Sequence, residues 1–302
     1  MQSSRTGTAP IRAIRAILAL SAALLTGLIA IPARANVLVS FPDFTAACGS
    51  ADLTCIGNAA TVGPVLRLTQ AVGGESGAAY STNPVTLGTN ATFSTAFQFR
   101  FSNPGGIDPA DGMTFVLAAK PTGLGGSGGA MGYQGVPKSV AVEFDTYLNT
   151  GIDLSSNHVA VDEGGQLTGL ASANPYGNGS CGFANGLPIQ NPFTALGCMA
   201  NGDVWSVRIS YDGSLLDVTV QDGANPEQDI IKDFPINIAA QLGTNTAFVG
   251  FTAGTAGGFE NHDILNWRFA NTVELAQAPE PASLALVGLG LAGIGLGRRK
   301  RA

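Results

Sequence analysis

Residues 205–220, WSVRISYDGSLLDVTV, decide the fold class of this chain. Apolar residues occupy alternate positions on either side of the pair Asp212-Gly213: Trp205, Val207, Ile209 and Tyr211 before it, and Leu216, Val218 and Val220 after it. This period-two pattern is typical of strands with one buried face, and an Asp-Gly pair between two such runs is typical of a hairpin turn. The segment therefore predicts an antiparallel hairpin that covers a hydrophobic core.

Similar patterns recur through the rest of the central region. Strands are predicted at residues 93–102, 113–119, 139–147, 248–252 and 264–269. The sequence from residue 36 to residue 274 shows no amphipathic helix of useful length. Many strands joined by glycine-rich turns predict one all-β domain over 36–274, built as an antiparallel β-sandwich or barrel.

Composition excludes several classes of protein. The chain has 302 residues, of which 12% are charged and 41 are glycine, and this argues against a coiled coil, a helical bundle or intrinsic disorder. Between residues 36 and 274 there are 20 acidic and 7 basic residues, which gives a net charge of −13. A body this acidic repels a phosphate backbone, so we do not expect a nucleic-acid partner.

The N-terminal segment has the three parts of a secretory signal. Arg5, Arg12 and Arg15 precede an apolar run over 16–31, which is followed by Ala33-Arg34-Ala35. A basic region, a short apolar region and an A-x-A site together indicate a signal peptide. We expect residues 1–35 to direct export, with the mature chain beginning near residue 36. A retained membrane anchor is the alternative, although the apolar run is short for a span.

The C-terminal segment, 275–302, carries a different signal. Pro279-Glu280-Pro281 is followed by an apolar stretch over 282–297 and a basic cluster over 298–301. This order resembles the bacterial PEP-CTERM sorting signal, which a membrane-bound exosortase processes. The resemblance implies transient membrane association through a transmembrane helix at 282–297 and a final location at the cell surface or in the extracellular matrix. Residues 288–293 match GxGxxG, but no strand precedes them, so we do not expect a dinucleotide site.

The four cysteines fit an exported, oxidised protein. Cys48 is close in sequence to Cys55, and Cys181 is close to Cys198, so local disulfides are expected while two other pairings stay open. The cysteines form no CxxC or Cys/His cluster, so the sequence does not predict a zinc site.

Residues 143–158 contain the densest group of potential metal ligands. The segment supplies carboxylates, an amide and an imidazole: Glu143, Asp145, Asn149, Asp153 and His158. On a strand, Glu143, Asp145 and Tyr147 would share one face. Such oxygen ligands suit Ca²⁺, and imidazole with carboxylates suits Mn²⁺ or a similar transition metal. The competing interpretation is an ordinary acidic strand with a histidine that only packs; the density of ligands favours the metal site.

A catalytic interpretation also exists for this segment. Glu143 and Asp145, two residues apart on a predicted strand, are similar to the carboxylate pairs of β-sandwich glycosidases. A retaining glycosidase needs a second carboxyl group about 5–5.5 Å from the first. Residues 146–148 are Thr, Tyr and Leu, so the completing acid is missing. Hydrolysis is the weaker hypothesis, and we expect this protein not to be an enzyme.

Four stretches resemble the legume lectin (L-type lectin) family: residues 110–118, 128–133, 143–158 and 249–267. They include Ala110-Asp111-Gly112, the glycine-rich Gly128-Gly129, the acidic segment described above, and a closing stretch that ends in His262-Asp263-Ile264-Leu265-Asn266-Trp267. The resemblance implies a concanavalin-like jelly-roll β-sandwich, with a cis peptide bond before Asp111.

The same resemblance implies roles for individual residues. Mn²⁺ would be held by Glu143, Asp145, Asp153 and His158, and Ca²⁺ by Asp145, Asn149, Asp153 and the carbonyl of Tyr147. The carbohydrate would contact Asp111, Gly129, Tyr147, Asn149, Gly257 and Gly258. The chain departs from the family at Gly257-Gly258, where many members have a small residue followed by an acid or amide, so the side chain that sets specificity is absent.

The sequence thus predicts an exported, surface-associated lectin whose sugar site is organised by Ca²⁺ and Mn²⁺. Its expected partners are a glycan or exopolysaccharide, the secretion machinery and exosortase, with a homo-oligomer as a route to avidity. The alternatives are a structural or adhesive matrix protein that keeps the fold without sugar binding and, third, a β-sandwich glycosidase.

Overall fold

The structure is a computed structural model that describes residues 37–120, 123–183 and 191–275. The predicted signal peptide, 1–35, and the predicted sorting helix, 282–297, lie outside the described residues. Among the described residues, no helix is long and apolar enough to cross a membrane.

The described residues are mostly β-structure. The first nine strands are β1 (Val37–Phe41), β2 (Leu53–Gly57), β3 (Ala60–Val62), β4 (Val65–Thr69), β5 (Ser76–Ser81), β6 (Val85–Thr86), β7 (Phe93–Gly106), β8 (Gly112–Ala118) and β9 (Ser139–Asp145). The remaining strands are β10 (His158–Glu163), β11 (Gln166–Ala173), β12 (Cys181–Gly182), β13 (Asn191–Pro192), β14 (Trp205–Tyr211), β15 (Leu215–Asp222), β16 (Gln228–Pro235), β17 (Thr246–Gly254) and β18 (Gly258–Ala270). The helical elements are α1 (Ile238–Leu242) and the 3₁₀ turns Thr89–Ala91, Gly128–Ala130, Pro175–Gly177 and Met199–Asn201.

Two antiparallel sheets contain nearly all of these strands. Sheet 1 has the order β16-β15-β14-β7-β18-β4-β3, and β1 also pairs with β18. Sheet 2 has the order β11-β10-β9-β8-β17-β5-β2, and β6 also pairs with β17. Strands β12 and β13 form a small parallel pair of their own. The prediction of an all-β antiparallel sandwich is confirmed.

The hairpin at residues 205–220 forms as its pattern predicts. Strands β14 and β15 pair from Trp205 opposite Asp222 to Tyr211 opposite Leu216. Oδ1 of Asp212 accepts hydrogen bonds from the backbone N–H groups of Ser214 and Leu215, both at 2.8 Å. The aspartate therefore satisfies the backbone donors of the turn, which is the usual reason for this residue type in turns.

Aromatic side chains join the two sheets. Phe97 of β7 in sheet 1 contacts three rings of sheet 2, with ring centroids 6.0 Å from Phe115, 5.8 Å from Phe144 and 4.9 Å from Phe251. Trp205, on the face that the hairpin pattern predicts to be buried, and Trp267 are also fully buried in this core. Burial of such rings supplies most of the free energy that holds a sandwich together.

The other face of sheet 2 is covered as well. Tyr80, Val116 and Ala141 on that face pack against Tyr133 and Val136 of the long segment between β8 and β9, in a second, smaller apolar cluster. This segment also contains the glycine-rich stretch singled out from the sequence. This packing holds the glycine-rich stretch over sheet 2, next to the start of β8 and the end of β9.

Both locally predicted disulfides are present, Cys48–Cys55 and Cys181–Cys198. The second one lies beside Asn157, a fully buried residue. Nδ2 of Asn157 donates to the carbonyl of Gly197 at 2.7 Å, and Oδ1 accepts from the backbone N–H of Met199 at 2.9 Å. Asn157 thus attaches the start of β10 to the disulfide-bonded segment.

We predict that Phe97→Ala lowers the free energy of unfolding by about 3–5 kcal/mol, because it removes a ring that bridges the two sheets. Urea unfolding followed by tryptophan fluorescence measures this loss. The matched control is Arg208→Ala, which removes an exposed ion pair with Glu227 from the same sheet and should cost less than about 1 kcal/mol. Equal losses in the two variants would contradict the proposed importance of the inter-sheet rings.

Candidate functional site

Strands β9 and β10 of sheet 2, with the loop after β9, bring the predicted metal ligands together. Asp145, the last residue of β9, pairs with Gly112 at the start of β8 and with His158 at the start of β10. Glu143 lies two residues earlier on β9, so its side chain is on the same face as that of Asp145. Strand pairing therefore places residues from distant parts of the chain side by side.

Glu143, Asp145 and His158 form a buried cluster. Each offers a ligand atom, and these atoms lie within 4.8 Å of one another. Nε2 of His158 is 3.0 Å from Oε1 of Glu143. Oε2 of Glu143 is buried and has no hydrogen-bond partner among the described residues. Carboxylate and imidazole donors with an unsatisfied oxygen fit a divalent transition-metal ion.

Several carboxylates lie close together in this buried cluster, and their negative charges disfavour one another. Burial raises the pKa of Asp145 well above its ordinary value, and the charges of Glu143 and Asp153 add to this shift. Burial alone would lower the pKa of His158, but its hydrogen bond with Glu143 and the nearby carboxylates raise that pKa overall. Without a bound cation, the carboxyl group of Asp145 therefore keeps its proton at a pH at which ordinary surface carboxylates have lost theirs.

The loop after β9 folds back onto the cluster. The backbone N–H of Tyr147 donates to Oδ1 of Asp145 at 2.7 Å, and the N–H of Asn149 donates to the carboxylate of Asp153. The N–H of Ile152 donates to the carbonyl of Asn149 at 3.0 Å. Since β9 ends at Asp145, Tyr147 belongs to this loop and not to the strand face on which the sequence pattern placed it.

Asp111 lies immediately before β8 and follows a cis peptide bond from Ala110, as the family resemblance implies. Its carbonyl accepts from the N–H of Thr146 at 3.0 Å. The side chain is 3% exposed, and its Oδ2 has no hydrogen-bond partner among the described residues. Burial raises the pKa of Asp111 to about 7, and the charges of Glu260 and Asp153 add to the shift. A polar ligand would satisfy this oxygen.

The glycine-rich loop approaches both Asp111 and Asn149. A Cβ atom at Gly129 would lie 2.7 Å from Oδ1 of Asn149, and one at Gly128 would lie 4.0 Å from Oδ2 of Asp111. The N–H of Gly128 donates to the carbonyl of Thr255 at 2.9 Å. Four separate segments of the chain, around Asp111, Gly129, Asn149 and Thr255, therefore converge beside the carboxylate cluster.

Gly257 and Gly258 lie at the edge of this arrangement. The carbonyl of Gly257 accepts from the N–H of Ile107 at 3.1 Å. A Cβ atom at Gly258 would lie 2.3 Å from the carbonyl oxygen of Asp108, so this glycine permits close packing of two backbone segments. The residue of this turn that faces the glycine-rich loop is Ala256, whose Cβ would be 3.0 Å from one added at Gly128.

The sequence pattern did not identify two buried carboxylates near the site, those of Asp162 and Glu260. Asp162 of β10 accepts from the N–H groups of Thr168 and Gly169, and burial together with the charge of Glu143 raises its pKa to about 8. Its position four residues after His158 on one strand is a signal that could have identified it. The charge of Glu143 acts on Asp162, and the side chain of Asp162 is fully buried.

The other missed carboxylate is Glu260, on β18 of sheet 1. Its Oε1 accepts from the hydroxyl of Thr146 at 2.6 Å and lies 3.5 Å from Nε2 of His262. His262 in turn pairs through Nδ1 with the hydroxyl of Thr69 at 2.6 Å. His262 is thus held by buried contacts. The link from Glu260 to Thr146, the residue after Asp145, crosses between sheets and has no local sequence signal.

Comparison with known families identifies this architecture. The sequence model of the legume lectin domain matches residues 37–285, and so most of the chain. The chain belongs to the legume lectin family. A second model, for the PEP-CTERM protein-sorting motif, matches residues 277–301 of this lectin and confirms the predicted resemblance of its C-terminal segment.

Individual lectins show the same similarity. The lectin alpha chain of Lablab purpureus is 27% identical over 246 residues, which cover 74% of this chain and 79% of that protein. The basic winged bean lectin, solved with the Tn antigen, is 27% identical with a TM-score of 0.59, covering 76% of this chain and 96% of its own. The metal-free lectin I-B4 of Griffonia simplicifolia has a TM-score of 0.61 at 24% identity, covering 77% and 98%.

Membership of this family also bears on the question of catalysis. Its lectin members are non-enzymatic carbohydrate-binding proteins, in agreement with the expectation that this chain is not an enzyme. The glycosidase hypothesis therefore has no support from the relatives.

We predict that the metal-free protein loses stability as the pH rises from about 4 toward about 8. The pKa values of Asp111 and Asp162 are raised to about 7 and about 8 in the folded chain, whereas an unfolded aspartate has a pKa of about 3.9. Between these values the folded state binds more protons than the unfolded state, so raising the pH favours unfolding. The thermal midpoint of the chain in EDTA should be lower at pH 8 than at pH 5.

Asp162→Asn is the matched control, because an amide keeps the acceptor oxygen for Thr168 and Gly169 but does not titrate. Its midpoint should fall less between pH 5 and pH 8 than that of the unmodified chain. A midpoint of the unmodified metal-free chain that rises over this interval would contradict the assignment.

Proposed function

We propose that this lectin domain binds a glycan through a site organised by Ca²⁺ and Mn²⁺, and that the protein acts outside the cell. The convergence of Asp111, Gly129 and Asn149 beside the cluster of Glu143 and Asp145 carries this proposal. The side chains of Asp111 and Asn149 both approach the glycine-rich loop, and this region lies beside the buried carboxylates of Glu143 and Asp145.

The donor set fits the two ions. Glu143, Asp145, Asp153 and His158 would hold Mn²⁺, and Asp145, Asn149, Asp153 and the carbonyl of Tyr147 would hold Ca²⁺. The unpartnered oxygen of Glu143 and the raised pKa of Asp145 are the expected state of such ligands without their cation. When bound, the ions supply the positive charge that lets these carboxylates stay ionised and fixes the loop that carries Asn149.

Different residues of the chain would then contact different parts of the sugar. The carboxylate of Asp111, with its free oxygen, accepts hydrogen bonds from sugar hydroxyls, and the backbone N–H of Gly129 and the amide of Asn149 donate to sugar oxygens. The half-buried ring of Tyr147 offers an apolar surface to one face of a pyranose. Because each hydrogen bond replaces one with water, affinity at a single site should be modest and several copies would be needed for avidity.

The terminal segments support an extracellular role. Residues 277–301 match the PEP-CTERM sorting motif, and residues 1–35 have the pattern of a signal peptide. We infer that the chain is exported, passes through an exosortase-dependent step at the membrane, and meets its glycan or exopolysaccharide partner at the cell surface or in the matrix. Two disulfides among the described residues fit an oxidising compartment.

We predict that glycan-array binding by this protein appears with Ca²⁺ and Mn²⁺ and is lost in excess EDTA. Asp145→Ala should abolish binding even with both ions, because Asp145 is a ligand common to the two proposed metal sites. Asp229→Ala, which removes an exposed acid of sheet 1, is the control and should bind like the unmodified protein. Full binding by folded Asp145→Ala would refute the metal-organised site; a folded, metal-loaded chain that binds no glycan would favour the structural matrix role.

We also predict that Gly129→Ala weakens glycan binding about tenfold or more, a change of about 1.4 kcal/mol. The added Cβ would lie 2.7 Å from Oδ1 of Asn149 and would displace that side chain. Gly126→Ala, in the same loop, meets only the Cβ of Ala130 at 3.3 Å and serves as the control. Titration calorimetry with a glycan identified on the array measures both variants, and equal affinities would contradict a role for Gly129 in the site.

A further inference from the structure

All four arginines between residues 36 and 274 lie on the same side of sheet 1. They are Arg67, Arg100, Arg208 and Arg268, and they belong to the neighbouring strands β4, β7, β14 and β18. Each lies between two residues of the hydrophobic core, as Arg100 does between Phe99 and Phe101. Because side chains alternate along a strand, all four arginines point away from the core. We call the outward side of these four strands the arginine face.

Strand pairing arranges two of the arginines in one row. Asp263 of β18 lies opposite Arg67 of β4 on one side and opposite Arg100 of β7 on the other. Nε and Nη2 of Arg67 donate to the two carboxylate oxygens of Asp263, at 2.7 and 2.8 Å. Arg100 has no ion-pair partner among the described residues, and its Nε is buried without a hydrogen bond. The positive charge of Arg100 is therefore not compensated within this row.

The other two arginines form a second row, on either side of Ala96 of β7. Ala96 lies opposite Arg268 of β18 and opposite Arg208 of β14. Adjacent strands are about 4.8 Å apart, so the Cα atoms of these arginines are separated by about 10 Å, with only a methyl group between them. Nη2 of Arg208 donates to exposed Glu227 at 2.6 Å, an ion pair that water weakens. The side chain of Arg268 has no ion-pair partner in the part of the chain that the structure describes.

The rest of the arginine face is polar. Between the two rows, Nδ2 of Asn266 donates to Oε1 of Gln98 at 2.6 Å, and Nε2 of Gln98 donates to Oγ of Ser206 at 3.0 Å. The acids of these four strands are Asp263, paired as above, and Glu260, which is buried at the candidate site. None of the large apolar side chains that are exposed among the described residues belongs to these strands. A protein interface or a membrane surface uses apolar contact area, whereas a hydrated anionic polymer does not need it.

We propose that the arginine face binds an anionic polysaccharide through the carboxylate groups of its uronic acid residues. A guanidinium group presents parallel N–H donors that match a carboxylate, and two of the four arginines lack such a partner among the described residues. The amides and hydroxyl between the two rows would exchange hydrogen bonds with the sugar hydroxyls. This surface is on sheet 1, whereas the proposed metal ligands belong to sheet 2 and the loop after β9, so the proposal does not depend on the metal-organised site.

The charge of the whole domain limits the kind of anion. The net charge of −13 between residues 36 and 274 repels a densely charged polymer such as duplex DNA, which carries about one charge per 1.7 Å of helix axis. A polyuronate has a single charge on each sugar, so the repulsion along its length is weaker, while its carboxylates still pair with the arginines. The other basic residues of this region are Lys120, Lys138 and Lys232.

Binding of polygalacturonate fragments without metal ions tests the proposal. Labelled fragments are titrated with the full chain in EDTA, where the proposed metal sites are empty, and fluorescence anisotropy is followed. We expect saturable binding that weakens as salt is added, because screening reduces the attraction between the charges. Dextran, a neutral polysaccharide, should not bind, and duplex DNA should bind about tenfold more weakly or less. Absence of polygalacturonate binding in EDTA, or equal binding of DNA, would overturn the proposal and leave the proposed function intact.

A charge placed within the second row gives the sharpest variant. Ala96→Glu sets a carboxylate between Arg208 and Arg268, where it competes with the ligand, so affinity should fall about tenfold or more. Ala96→Gln adds a side chain of the same size without the charge and should bind nearly as well as the unmodified chain. Thermal unfolding establishes that both variants are folded. Equal affinities of the two folded variants would count against the arginine pair as the binding site.

Removal of the two unpaired arginines is an independent test. Arg100→Gln/Arg268→Gln should weaken binding about tenfold or more. Lys120→Gln/Lys138→Gln removes the same charge at two exposed positions outside the arginine face and should leave the affinity unchanged.

Two further results would overturn the proposal. The basic cluster at 298–301 attracts the same polymer, so a chain in which these four residues are replaced by glutamine must keep its binding; loss of binding in that chain would assign the polymer to the C-terminal segment. A change of oligomeric state in Ala96→Glu, with polygalacturonate affinity unchanged, would instead identify the arginine face as a contact with a second copy of the chain. Size-exclusion chromatography with light scattering measures that state.

Discussion

Repulsion among buried carboxylates is the constraint on which the site depends. Strand pairing in sheet 2 brings Glu143 and Asp145 onto one face, and the following loop adds Asp153 to the same region. In water these charges would be screened, but burial removes the screening and raises the pKa of Asp145. Burial of these carboxylates near the end of β9 therefore lowers the stability of the fold, and a cation bound among them would restore it. On the proposed function, metal binding and order in the loop of Asn149 would be parts of the same equilibrium.

The aromatic core makes such a site tolerable. Rings from both sheets, among them Phe97 and Phe251, interdigitate at centroid distances near those preferred for edge-to-face contacts. The segment between β8 and β9 then covers the other face of sheet 2 through Tyr133 and Val136. Hydrophobic burial on both faces of sheet 2 offsets the unfavourable free energy of burying carboxylates near the end of β9. The fold can therefore accommodate this group of charges.

Much of the fold could be predicted from the sequence, because its signals are local. Alternation around Asp212-Gly213 identifies a hairpin whose turn the aspartate itself closes, and the spacing of Glu143 and Asp145 places both on one face of a strand. The extent of a strand is less local: β9 ends at Asp145 because Tyr147 is drawn into the loop by a hydrogen bond to that carboxylate. The contact of Glu260 with Thr146 could not be predicted from the sequence, because it joins two sheets and no local pattern indicates it.

The hydrogen bonds of Asn157 connect the Cys181–Cys198 disulfide to the candidate site. Asn157 precedes His158 and is held by the backbone on either side of Cys198, at Gly197 and Met199. When Cys181 and Cys198 are reduced, this segment loses a covalent tether, and the anchor for the start of β10 loosens with it. The imidazole of His158 is oriented directly by the carbonyl of Ser155 and by Glu143, and disulfide formation adds a covalent tether to the neighbouring segment that holds Asn157.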